Sequence, residues 1–186
     1  MRWNGQGGVV CPLRGQSLES RLAAQRSVGR AAMADALTQR DEAEALAIAL
    51  EAGVIEVSAA IRWADQVIEA CSDPTSEVVA VSLATKAPAA EMAHLLRNTP
   101  GELSQPRAAR RALLFMMMAL ESGRVSSKYI ARSLYGMWLR GGAPCEDAEG
   151  AMSRLDDAFY LATEGMIGTV AEAEVELRDF LREYAQ

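Results

Sequence analysis

The sequence predicts an all-α protein of about eight helices, arranged as two tandem four-helix units in a bundle or a short α-solenoid-like stack. Three observations predict it. Half of the 186 residues are apolar, with Ala and Leu prominent and aromatic residues at only 5%, a balance that favours helices over sheets. Chain breakers recur at Gly53, Asp73-Pro74, Pro100-Gly101, Gly123, Gly141-Gly142-Ala143-Pro144 and Gly165, leaving helix-sized pieces between them. Finally, Ala49-Leu50-Glu51-Ala52-Gly53 returns seventy positions later as Ala119-Leu120-Glu121-Ser122-Gly123, and Pro74 returns as Pro144, as in an internal duplication covering 42–100 and 106–184.

The elements follow in quick succession. Residues 42–51 form the first helix, ended by Gly53 in a role suited to a left-handed C-cap. Residues 57–71 form the second, with Ile61, Ala64, Val67 and Ile68 on one apolar face. After Asp73-Pro74, Thr75 or Ser76 caps a short third helix through Ala84, and Pro88 opens a fourth through Arg97. Pro106 opens a fifth helix to Ser122, and Ser126 or Ser127 caps a sixth through Leu139. A seventh, 146–164, carries Ala151, Leu155, Ala158 and Ala162 on one face with Met152 and Phe159 beside them. Thr169 caps the last, in which Val170, Ala173, Leu177, Phe180 and Leu181 face inward and the acids and arginines face water. The run Leu113 to Met118 is apolar all round, which predicts the central core helix; its alternative is a Met-rich surface that repacks around partners.

Residues 1–40 read as a leader, flexible or mis-annotated, ahead of a single domain over 41–186. Gly5, Gly7, Gly8, Pro12 and Gly15 interrupt it, and its arginines suit either an organelle transit peptide or an upstream artefact of translation that begins at Met33. Residues 1–32 hold five Arg against Glu19, a balance of +4, whereas 33–186 hold 14 Lys and Arg against 24 acids, a balance of −10. Such acidity disfavours nucleic acid, whose phosphates need surplus cations, and suits a basic protein partner. The longest apolar run, Ala112 to Leu120, falls well short of the roughly 20 residues that span a bilayer, so no membrane is expected. Three cysteines, Cys11, Cys71 and Cys145, form neither an even set nor a CxxC pair, which fits a reducing cytoplasm.

Candidate chemistry is sparse. Asp156, Asp157 and Glu164 share one helix, and Asp156, Tyr160 and Glu164 lie at i, i+4 and i+8. Such a face is either solvated surface or, with Tyr160 supplying rigid contact area, a docking site for a basic partner. Its carboxylates would also be the acids of a metal-dependent hydrolase, although the Glu-x-x-His pair common in bundle metal sites is absent. His94, the sole histidine, has no Cys or acid at ligand spacing, and no metal or cofactor is expected. Arg107, Arg110 and Arg111 cluster where a helix begins and would either pair with the surplus acids or hold an anion. Trp63 and Trp138 occupy comparable helices and should anchor them in the core. Gly165-Met166-Ile167-Gly168-Thr169 lacks the Lys and the preceding strand of a phosphate loop.

The segments Ile61-Arg62-Trp63-Ala64-Asp65-Gln66-Val67-Ile68, before Pro74, and Leu155-Asp156-Asp157-Ala158-Phe159-Tyr160-Leu161-Ala162, before Gly168, resemble small helical proteins of bacterial toxin–immunity loci. The resemblance covers 41–184 and rests on no diagnostic motif. It implies a cytosolic protein that binds and neutralises a cognate effector without chemistry of its own. The expected function is thus a non-catalytic protein-binding module, immunity protein or adaptor, with Asp156, Asp157, Tyr160 and Glu164 as its partner-binding face. A metal-dependent hydrolase and a subunit of a larger assembly are the alternatives.

Overall fold

The structure, a computed structural model, describes residues Leu37–Gln186. The expected leader as far as residue 36, the Met33 start and Cys11 lie outside the described residues. Those described are helical, without strands: α1 (Gln39–Glu51), α2 (Val57–Ala70), α3 (Ser76–Leu83), α4 (Ala89–Arg97), α5 (Gln105–Glu121), α6 (Ser127–Leu139), α7 (Glu146–Thr163) and α8 (Val170–Tyr184). α1 starts earlier than expected because Thr38 and Asp41 form a reciprocal capping box, each side chain accepting a hydrogen bond from the other's backbone amide.

The helix at the centre is α1, not α5. Ala43, Leu46, Ala47 and Leu50 of α1 enter one core with α2, α3 and α4. Ala45, Ile48 and Ala49, with Ala52 and Val54 just beyond the helix, enter a second core with α5 to α8. Two apolar stripes of i, i+3, i+4 spacing therefore share one short helix, and every residue from 43 to 50 is buried. The alanines let α4 and α5 approach closely, and these are the neighbours α1 packs against most extensively. In α5, only Ala108, Ala109, Ala112, Leu113, Met116 and Ala119 are buried, and Met118 is 53% exposed. The continuous apolar run was expected to be enclosed on every side, but α5 has packing partners on part of its circumference only.

Two further faces differ from expectation. The buried line of α7 is Ala148, Met152, Leu155 and Phe159, with Ala151, Ala158 and Ala162 only half-buried at its margin. Val170 is exposed rather than inward, because it is the first residue of α8 and the packed stripe begins at Ala173. Trp63 and Trp138 are half-buried against their respective cores, Trp138 with its ring 5.5 Å from that of Tyr135.

Charge pins α1 from both sides. Arg97 of α4 reaches Glu44 at 3.1 Å and grips Glu51, two turns further along the same face, through two guanidinium nitrogens. From α5, Arg111 pairs with Glu42 at 2.9 Å and Arg107 with Asp41 at 3.0 Å, so two of the three clustered arginines serve internal ion pairs. The Asp41 side chain is fully buried. Burial alone would raise its pKa. The amides of Ser104 and Thr38, the Thr38 hydroxyl and the charge of Arg107 outweigh that effect and hold the carboxyl below its ordinary value. Because Ser104 caps α5, one carboxylate joins the starts of two helices.

The two sets of four helices are built alike. The ends of α1 and α5 (Glu51 and Glu121), the starts of α2 and α6 (Val57 and Ser127), and the starts of α3 and α7 (Ser76 and Glu146) each lie seventy residues apart. Within each set the first helix packs on the second and fourth, the third on the second and fourth, and the second on the fourth; α1 on α5 is the principal contact between sets. The echoed Gly53 and Gly123 end their helices in matching Schellman motifs at φ 65° and 69°. The same ending recurs at Gly141 and Gly165, so it belongs to four of these helices and not to the echo alone. The seventy-residue spacing then gives way, since α4 and α8 start at Ala89 and Val170. Ten of the eleven added residues lengthen α7, which has 18 residues to the 8 of α3, and one falls in the turn before α8.

Gly53 and Gly123 should respond differently to alanine. Both adopt a positive φ, costing an L residue about 1 kcal/mol, but a Cβ at Gly53 would also stand 2.5 Å from the Tyr129 hydroxyl, whereas Gly123 faces open space. Urea unfolding of Gly53→Ala should therefore show a larger loss than Gly123→Ala, and Tyr129→Phe should recover the difference. Asp41→Ala should cost about 3 kcal/mol at pH 7, as for a broken buried pair. Since the native pKa is depressed, Asp41 stabilises fully above the unfolded value near 4 and progressively less as pH falls through the native one. The gap between wild type and variant should narrow at pH 3.

Candidate functional site

The expected partner-binding residues lie on the extension of α7. Residues 146–153 match the length of α3 at the seventy-residue spacing, and Asp156, Asp157, Tyr160 and Glu164 all follow that stretch, where the first four helices have no counterpart. The extension packs beside α6, and between the two runs an open groove of about 620 Å³ lined by Ser126, Lys128, Tyr129, Arg132, Asp156, Asp157 and Tyr160. Glu164, the C-cap of α7, does not line it.

This groove is balanced in charge rather than acidic. Arg132 donates to Asp156 at 2.7 Å and lies over the Tyr135 ring, and Lys128 adds a second cation, so α6 offsets the two carboxylates that α7 contributes. The bond to Asp156 raises the already high pKa of Arg132. Tyr129 and Tyr160 supply two half-exposed rings at its mouth. The cations come from a separate helix, and spacing along α7 alone gives no sign of them.

A second groove of about 740 Å³ separates α7 from α8. Its apolar lining comprises Ala151, Ala171, Val175, Phe180 and Tyr184; Phe180 is buried, Ala171 and Val175 are exposed, and the rings of Phe180 and Tyr184 stand 4.9 Å apart. Asp147, Glu172, Glu176, Asp179 and Glu183 also line it, with Arg154 the one cation among the lining residues. Arg154 meets Glu176 at 3.9 Å, both side chains well exposed, a spacing at which attraction through water is weak. The Tyr184 phenol is held above its ordinary pKa by loss of water and by the negative charge of Glu183. The acids of α8 face water as expected, and Val175, an apolar residue among them, is 56% exposed. The α7–α8 turn adds Met166 and Ile167, 64% and 69% exposed.

His94 is exposed on α4, Cys71 is the exposed C-cap of α2, and Cys145 is the half-buried N-cap of α7. Gly165 and Gly168 carry positive φ and turn the chain between α7 and α8. Among the described residues, no three His, Cys, Asp or Glu side chains gather closely enough to hold a metal ion, and no helix is long and apolar enough to cross a membrane.

No protein-family model matches the chain, and no curated protein or solved structure does either.

The dispersed carboxylates predict that millimolar Mg²⁺ or Mn²⁺ leaves the thermal midpoint unchanged, in wild type and in Asp157→Ala alike. A metal-dependent rise that vanishes in Asp157→Ala would support the hydrolase alternative.

Proposed function

We propose that this chain is a non-catalytic protein-binding module, of the immunity or adaptor kind, that holds and occludes a basic partner. The observation that carries this reading is where the acidity lies. Of the −10 on residues 33–186, residues 146–184 contribute eleven acids against three Arg, a balance of −8, leaving −2 for 33–145. In the first four helices the carboxylates of Asp41, Glu42, Glu44 and Glu51 are occupied by arginines of α4 and α5. In α7 and α8 most carboxylates face solvent.

An outward field of this kind concentrates a cationic partner near the surface and speeds encounter, while apolar contacts set how long the complex lasts. The full chain, used as bait against lysate of its source cells, should retain a basic protein at low salt. Raising NaCl from about 50 to about 500 mM should slow association with that protein by tenfold or more, with a smaller effect on dissociation. An association rate indifferent to salt would count against the proposal.

A further inference from the structure

We infer that the α7–α8 groove is the docking site and that it takes a basic amphipathic helix of the partner. This rests on the protein-binding reading and adds its location and the form of what binds. A flat electrostatic contact would need acids alone. Here apolar and acidic side chains line one groove: Phe180 and Tyr184 form its base with Ala151 half-buried beside them, the α8 carboxylates follow, and Ala171 and Val175 stand exposed at the outer edge. A helix presenting apolar residues at i, i+3, i+4 and i+7, flanked by Lys or Arg, satisfies both features.

The dimensions agree. The α8 residues that line the groove run from Ala171 to Tyr184, nearly the full helix, so the groove is about 20 Å long and accommodates about 14 residues of a helix laid along it. The charged lining sets the sign of the occupant. Five carboxylates against Arg154 disfavour an acidic helix, a second copy of this acidic surface and an anionic lipid face, and favour cations along both edges. The α6–α7 groove, with Lys128 and Arg132 among its lining residues, lacks that preference.

The test uses the full chain and a labelled 14-residue Lys–Leu peptide of amphipathic helical pattern, read by fluorescence anisotropy. A scrambled peptide of the same composition and a Glu–Leu peptide of the same pattern serve as comparisons. The patterned Lys–Leu peptide should bind at least tenfold more tightly than either. Two doubly charge-reversed variants separate the α7–α8 groove from acidic surface outside it: Glu176→Lys with Glu183→Lys, and Asp157→Lys with Glu164→Lys, all at exposed positions and equal in net-charge change. The first should weaken binding at least tenfold and the second less than threefold. Val175→Glu, an exposed change in the apolar lining, should also weaken it at least tenfold. Equal weakening by both charge variants, or equal binding of scrambled and patterned peptides, would overturn the groove as the site and leave general attraction of a basic partner standing. If no Lys–Leu peptide binds while the bait experiment still retains a basic protein, the helix-in-groove inference falls alone. If neither binds, both fall.

Discussion

Everything in the described fold leans on the double burial of α1. A helix of thirteen residues ordinarily gives one face to a core and one to water. α1 gives one stripe to each of two cores and leaves no solvent face along its middle. Alanine makes this possible: a helix of bulky residues would push α4 and α5 apart, whereas Ala43, Ala45, Ala47 and Ala49 admit close approach and leave the larger contacts to Leu46, Ile48 and Leu50. Tight fit then demands specificity, and the arginines from two sides supply it by fixing rotation and register where small apolar side chains discriminate weakly.

The same division of labour separates the structural charges from those open to a partner. Around α1, carboxylates and guanidiniums are partly buried and mutually satisfied. Along α7 and α8 the surplus is left in solvent, in and around a groove that is apolar in part. Glu51 makes the contrast plain, because its pKa is lowered first by hydrogen bonds from Arg97, whereas Glu176 on the open groove has only a distant and exposed Arg154. The ten residues by which α7 exceeds α3 carry part of this acidity and continue the buried line through Leu155 and Phe159, so the added surface comes with its own packing.

Local chemistry made the elements legible. Ser126 and Thr169 each accept the amide bond expected of an N-cap, and Gly53, Gly123 and Gly165 each end a helix where a left-handed residue was needed. The ranking of helices by burial was less legible. Leu113 to Met118 has greater hydrophobicity than the alanines of α1, yet burial depends on how many neighbours surround a helix, and that is decided by contacts distant in sequence. The candidate site followed the same pattern. Asp156, Asp157 and Tyr160 were read from their shared helix and do line one groove, but the cations of α6 beside them and the pairing of α7 with α8 arise only when helices meet. Val175 hinted at the second groove and was submerged in a run of charges.

Sharing one helix between two cores makes the eight helices a single mechanical object. Neither set can loosen around α1 without exposing a stripe that the other set also holds in place, so local opening on one side is resisted by packing on the far side. A cut in the 98–104 linker would leave α5 to α8 with an unfilled slot, and α1 to α4 with an uncovered apolar edge. Each fragment therefore carries the missing part of the other, the arrangement from which split proteins reassemble.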